Sequence, residues 1–283
     1  MTVQVVTDST SDLPSAVVQE LCIHVIPLNV HFGDTVYRDG VDMTTEEFLV
    51  RLAASPRLPT TSQPSAGAFA DLYRRLAQES KEIVSVHISS KLSGTCSSAL
   101  LAKEMVADTG CRVEVVDSLV ASMGLGLHAI EAARAARAGA SLDEILSLLR
   151  QELIPRTHIV LFVDTLEYLQ KGGRIGRARA FLGTMLRVKP ILTVREGEIH
   201  PLEQVRTRAR AVERLYELVR GLSSLRALAV VHSTTPEEAQ ALVARLTPFC
   251  PKERTYVGKY GPVIGTHLGP GAMGVIAIEG SGA

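Results

Sequence analysis

Pro190-Ile-Leu-Thr-Val-Arg-Glu-Gly-Glu-Ile-His-Pro-Leu-Glu-Gln-Val205 is the stretch that decides the fold class. Two runs rich in aliphatic residues, 190–194 and 198–205, flank Arg195-Glu196-Gly197. A short break containing glycine between strand-like runs is a hairpin signal, because glycine supplies the left-handed backbone that a tight turn needs. A hairpin joins antiparallel neighbours, so the sheet that contains it is not purely parallel.

Upstream the pattern is different. Short β-branched runs at 3–6, 23–30, 83–88 and 112–116 alternate with amphipathic stretches, as in an α/β protein with parallel strands. A short helix is expected from about Pro14, and Thr44-Thr-Glu-Glu47 is a capping box that opens a helix through Leu52. Residues 56–64 form a polar segment punctuated by proline and too rigid for helix. Helices are expected over 65–78 and 93–106, and two more follow the strand at 112–116, the second opened by Ser141-Leu-Asp-Glu144. Beyond a strand at 159–163, a short helix stops at Gly172-Gly173. Downstream of the hairpin come an arginine-rich helix to Arg220, a strand at 227–231, a helix with Pro236 in its first turn, and strands at 255–259 and 274–278. A boundary at Pro155-Arg-Thr157 divides the chain into an N-terminal three-layer α/β domain with a parallel sheet (1–156) and a C-terminal α+β domain with a mixed sheet (157–283). A length of 283 residues suits two domains of roughly 100–200 residues each.

Composition excludes several function classes. Thirty basic and thirty acidic residues cancel, whereas a nucleic-acid binder carries a basic excess. Aromatic content of 4%, with no Trp, argues against a stacking surface for single strands. The neutral total hides one local bias: residues 171–195 contain no Asp or Glu, while Lys171, Arg174, Arg177, Arg179, Arg187, Lys189 and Arg195 are cationic. No apolar run approaches the roughly 18 residues of a membrane span, and Met1–Asp8 lacks the basic-then-apolar pattern of a signal peptide. Cys22, Cys96, Cys111 and Cys250 are scattered and read as core residues in a reducing cytoplasm, and no metal-ligand spacing is present.

Polar loops fall where strands end, the usual place for ligand contacts in open α/β sheets. In Thr60-Thr-Ser-Gln-Pro64 the hydroxyls of Thr61 and Ser62 suit an anion, although a loop serving only the cap at Ser65 is the simpler reading from spacing. In Leu92-Ser-Gly-Thr95 a helix N-terminus and Ser93 suit an anion equally well, and an N-cap role for Ser93 is the alternative. Residues 261–271 read as a tight irregular loop around His267, which donates a hydrogen bond or a full charge to a carboxylate, or else sits on a solvent-facing turn. Tyr168-Leu-Gln-Lys-Gly-Gly-Arg-Ile-Gly-Arg177 brings Lys171 and Arg174 beside paired glycines that a phosphate can approach, or forms a solvated basic face; it matches no nucleotide fingerprint. Enzyme motifs are poorer. Ser93 lacks the first glycine of GxSxG, and Thr10 stands where a phospho-aspartyl mechanism needs a second Asp. A hydrolase of acyl esters with Ser93 as nucleophile and His267 as base is the second functional reading.

Val6-Thr-Asp-Ser-Thr-Ser-Asp-Leu13, Thr60-Thr-Ser-Gln-Pro-Ser65, Ser90-Lys-Leu-Ser-Gly-Thr95, Val116-Asp-Ser118, Tyr168-Leu-Gln-Lys-Gly-Gly-Arg-Ile175 and His267-Leu-Gly-Pro-Gly271 together resemble the DegV family in order and spacing, over nearly the whole chain. The resemblance implies a non-enzymatic, cytoplasmic protein of lipid metabolism. A long-chain fatty acid such as palmitate would lie in a buried tunnel between the domains, with no cofactor and no metal. It implies carboxylate contacts from Thr61, Ser62, Ser93 and His267, with Gly94 and Thr95 supporting the loop. It further implies delivery of the acid to a partner fatty acid kinase that forms acyl-phosphate, with Arg174 and Arg206 as contacts for the partner or the phosphate. Cys96 stands where an aromatic is expected, which would alter chain preference near the head group.

Overall fold

The computed structural model describes residues 2–183 and 188–280, so Arg187 of the cationic stretch lies outside the described residues. In chain order the elements are β1 (Gln4–Asp8), α1 (Ser15–Leu21), β2 (His24–Ile26), β3 (Asn29–Phe32), β4 (Thr35–Arg38), α2 (Thr45–Ala54), β5 (Thr60–Ser62), α3 (Ala66–Leu76), β6 (Glu82–His87), α4 (Thr95–Met105), β7 (Arg112–Asp117), α5 (Met123–Arg137) and α6 (Leu142–Ser147). They continue with β8 (Thr157–Phe162), α7 (Glu167–Lys171), β9 (Lys189–Arg195), β10 (Glu198–Val205), α8 (Arg208–Arg220), β11 (Leu225–His232), α9 (Pro236–Leu246), β12 (Thr255–Lys259), α10 (Pro262–Leu268) and β13 (Met273–Glu279).

The first sheet is parallel, in the order β2-β1-β6-β7. Side chains alternate across a strand, and the core follows that period. Val5, Val84, Val86 and Val116 share one cluster with α5, whereas Val6, Ile83 and Val113 pack with Phe69 and Tyr73 of α3 and Ala99 and Ala102 of α4. The second sheet is mixed, in the order β10-β9-β8-β13-β11-β12. The expected hairpin is its edge: β9 and β10 pair antiparallel, and Glu196 (φ 49°) and Gly197 (φ 81°) make the left-handed turn. Val160, Phe162, Leu228, Val230, Val275 and Ala277 pack against α8 and α9, while Ile159, Leu161, Ala229 and Ile276 face the other way into the cluster that contains α5.

Helix α5 therefore lies between the two sheets. Its small, apolar sequence, Met-Gly-Leu-Gly-Leu-His-Ala-Ile-Glu-Ala-Ala-Arg-Ala-Ala-Arg, suits a helix buried on every side, with 12 residues of 15 buried. Glu131, 3% exposed, is its one buried acid, and Arg134, Arg226 and Arg254 each reach it at 2.9 Å. Two of those arginines come from the C-terminal half, so the ion network ties the halves together.

Three sequence expectations need correction. The single strand expected over 23–30 is two strands in different sheets, β2 and β3, with Pro27, which has no N–H to donate, in the break. The proline-stiffened segment 56–64 contains β5, which with β3 and β4 forms a small antiparallel sheet unforeseen from the sequence. The region 261–271, read as an irregular loop, contains helix α10. Pro262 occupies its first turn, where a missing N–H costs nothing, and Gly269 (φ 71°) follows its end.

Candidate functional site

The parallel sheet reverses its winding direction between β1 and β6, and ligands of open α/β sheets bind beyond the carboxyl ends of strands at such a point. A cavity opens there. It spans about 790 Å³ between its walls, mouth included. Ile88, Leu92 and Ala121 line it from the parallel-sheet side, Ile159, Leu161, Val194 and Ile199 from the mixed sheet, and Val263, Ile264 and Leu268 from α10. Both halves of the chain thus supply apolar wall.

Polar groups join this wall as Thr61, Ser62, Gln63, Ser93, Ser122, Arg174 and His267. The structure brings all four expected carboxylate contacts to one lining, although each is held differently. His267 Nε2 lies 2.9 Å from Thr61 Oγ1. In the tautomer that places hydrogen on Nε2, the imidazole donates to the threonine oxygen and leaves the threonine O–H free to donate to a ligand. Ser62 Oγ accepts from the Asn29 amide at 3.3 Å and meets His31 Nε2 at 2.9 Å. Ser93 Oγ bonds Thr95 Oγ1 at 2.9 Å, and the helix expected from Ser93 starts at Thr95 with Gly94 in the cap position. Ser93 is therefore not the N-cap residue. Gly94 is required by proximity: a Cβ there would stand 2.9 Å from the Gln63 side-chain nitrogen, so the glycine lets the β5 loop and the α4 loop meet.

Burial, and after it the charge of Arg174, push the His267 pKa down to about 4. The imidazole is then neutral at neutral pH, and what it offers is a hydrogen bond. Gly172 makes room for it, since a Cβ at Gly172 would come within 2.4 Å of His267 Nδ1. Beside it, Arg174 donates from Nε to the Leu92 carbonyl at 3.1 Å and from Nη1 to the Gly172 carbonyl at 2.7 Å. Among the described residues no carboxylate pairs with Arg174, so its charge faces the cavity mouth uncompensated. Arg206 is elsewhere, lining a separate surface cleft with Asp164, Lys189 and Gln204.

The hydrolase reading does not assemble. The Ser93 hydroxyl bonds Thr95 and the His267 imidazole bonds Thr61, and His267 Nδ1, where an orienting carboxylate would sit, is buried with no partner. Among the described residues no group of His, Cys, Asp or Glu could hold a metal ion. Asp8, the other enzyme-like candidate, is fully buried and spends its oxygens on Thr10, His87 Nδ1 and the Ile88 amide. Sequence reasoning missed Gln63 and Ser122. Gln63 was legible in the Thr-Ser-Gln-Pro motif, whereas nothing near Ser122 signals its position.

A family model described as uncharacterised protein, DegV family, matches residues 2–280. This chain belongs to the DegV family. Protein DegV of Bacillus subtilis is 38% identical over 280 residues, covering 97% of this DegV chain and 98% of its own length. A DegV domain-containing protein of Deinococcus radiodurans is 37% identical over 278 residues, covering 97% and 98%. Among solved structures, a fatty-acid-binding DegV family protein from Thermus thermophilus superposes with a TM-score of 0.90 at 38% identity, covering 99% of this chain and 100% of that one. DegV of B. subtilis, described as a fatty acid binding protein, gives 0.87 at 36% identity over 99% and 100%. A stearic-acid-binding protein from Eubacterium ventriosum gives 0.89 at 26% identity over 98% of each chain.

Proposed function

We propose that this DegV protein binds a single long-chain fatty acid, with its alkyl chain along the apolar walls and its carboxylate between Thr61, Ser93, Arg174 and His267. The observation that carries this reading is the pairing, in one cavity, of an aliphatic lining with a guanidinium that lacks a carboxylate partner among the described residues. The energetics agree. Burial of a C16 chain at about 0.8 kcal/mol per CH₂ gives a gross gain near 12 kcal/mol before the costs of association. A carboxylate left without donors would cancel much of that gain, so a cation and a few hydroxyls at one end are what the chemistry requires.

Mass spectrometry of organic extracts from natively purified protein tests the proposal. The expected result is a stoichiometric fatty acid in the wild type and a diminished one in Ser93→Ala/His267→Ala. An empty wild type that also fails to take up added palmitate or oleate would sink it.

A finer reading follows: the protein presents the carboxylate to a fatty acid kinase for acyl-phosphate formation. The exposed cations support this, since Arg177 and Arg206 lie off the cavity lining and leave Arg174 to serve the carboxylate. Arg177→Glu/Arg206→Glu should weaken coupling to such a kinase while sparing palmitate binding. Equal loss of both, or of neither, removes the docking role.

A further inference from the structure

The motif Asp8-Ser-Thr-Ser-Asp12 is not absorbed by the fatty-acid site: only its neighbours line the cavity. Its last residue nonetheless touches two of the cavity's walls. Asp12 takes a left-handed backbone (φ 51°) at the end of the turn after β1. Oδ1 accepts the Gly261 amide at 2.7 Å, and Oδ2 accepts the Ser122 hydroxyl. Ser122 itself lines the cavity and precedes α5 with φ 55°. Gly261 is the cap of α10, the helix that carries Val263, Ile264, His267 and Leu268 to the lining. Asp39, 3% exposed, lies against the same helix end, its Oδ1 3.1 Å from where a Cβ on Gly261 would stand. Helix α10 spans seven residues, about 10 Å at 1.5 Å per residue, so a shift at Gly261 reaches His267 through one rigid element.

We propose that Asp12 is a positioning residue of the fatty-acid site, holding Ser122 and the first turn of α10 in register so that His267 meets Thr61, with the Asp39 carboxyl packed behind the same helix end. This rests on the fatty-acid reading of the cavity. Asp12 is buried, with Asp39 and Asp8 as further negative neighbours, and its carboxyl is held well above the usual range. Lys259, on the adjoining cleft, pairs with Glu46, and among the described residues no cation bonds either acid. Asp12 Oδ1 holds the Gly261 amide and Oδ2 holds the Ser122 hydroxyl, so one side chain ties two walls together. Asparagine keeps an acceptor for the Gly261 amide and offers an N–H that Ser122 Oγ can accept, so both contacts can be kept.

The test uses the full chain, with palmitate displacing a fluorescent fatty acid and the ring signals of His267 read by NMR in ligand-free protein. Asp12→Ala is expected to raise the palmitate Kd about tenfold and to move the His267 signals, while Asp12→Asn stays within about threefold of wild type. Unchanged affinity in Asp12→Ala overturns the proposal, as does lost affinity with unmoved His267 signals, or a loss in Asp12→Asn equal to that in Asp12→Ala. Should Asp12→Ala not fold, Asp39→Ala decides, because it removes the carboxyl packed beside Gly261 without touching the cavity lining. A rise of about threefold with shifted His267 signals supports the anchoring, and wild-type values on both counts overturn it. If wild type binds no palmitate the fatty-acid reading fails by itself, and the His267 signals still report on the anchoring.

Discussion

Removing the imidazole of His267 gives the most direct reading of the head-group site. Nε2 is 2.9 Å from Thr61 Oγ1, so the pair forms one hydrogen-bonded unit in which the histidine orients the hydroxyl. A hydrogen bond to a charged group is worth about 1.5–3 kcal/mol, which corresponds to roughly 10- to 150-fold in Kd. His267→Ala should cost that much, and so should Thr61→Val, which keeps the threonine's shape and loses its hydroxyl. The two losses should not add. If histidine acts through threonine, the double variant binds palmitate about as weakly as either single variant, a coupling of at least 1 kcal/mol in a double-mutant cycle. The assay is displacement of a fluorescent fatty acid by palmitate kept below its micelle concentration, with melting temperatures as the control for folding. A pH series adds an independent check. Since burial and Arg174 hold the His267 pKa at about 4, the imidazole carries no charge at pH 6 or 8, and affinity should change less than threefold between them. Additive losses in the cycle, or a tenfold gain in affinity as the pH falls from 8 to 6, would refute the neutral relay.

Three further outcomes follow from other parts of the molecule. Arg174→Met keeps an apolar stem and removes the charge at the cavity mouth, so palmitate affinity should fall by about 2–3 kcal/mol while binding of the methyl ester changes little; equal losses for acid and ester would contradict a charge-specific role. Glu131→Gln leaves Arg134, Arg226 and Arg254 around an uncharged group between the sheets, and breaking a buried pair in this way costs about 3–5 kcal/mol. The melting temperature should drop by roughly 6 °C or more, and a drop under 2 °C would show the network to be dispensable. Asp39 has its carboxyl pKa raised from 3.8 to about 7 by burial and by the charge of Asp8. The folded chain therefore keeps a proton that the unfolded chain releases near pH 4, and stability falls as pH rises from about 4 to 7, by on the order of 4 kcal/mol, before levelling off. Asp39→Asn has no such titration, so its stability relative to wild type should grow across that window in denaturant melts; a constant difference would speak against the shifted carboxyl.

Much of this protein was legible in one dimension. Local rules are written into short windows of sequence, and the structure obeys them. Glu196-Gly197 makes the hairpin turn, Thr44 and Ser141 each form a complete capping box, and Pro236 stands in the first turn of α9. The motifs around Thr61, Ser93 and His267 likewise named the polar end of the site, because hydroxyls beside prolines and glycines are conspicuous in a sequence.

What the chain alone did not disclose depends on contacts between distant segments. The break of 23–30 into β2 and β3 follows from each half finding a different sheet, and β5 exists only because β3 offers it an edge. The seven-residue α10 is too short to hold itself in water, and a hydrogen bond from its cap, Gly261, to Asp12, remote in sequence, anchors it. The charge state of His267 is likewise a tertiary property. Residue type allows either protonation state, and only burial beside Arg174 makes the imidazole neutral. Sequence determined which groups are available and where the backbone turns; packing decided which of them meet, and how much water each one loses.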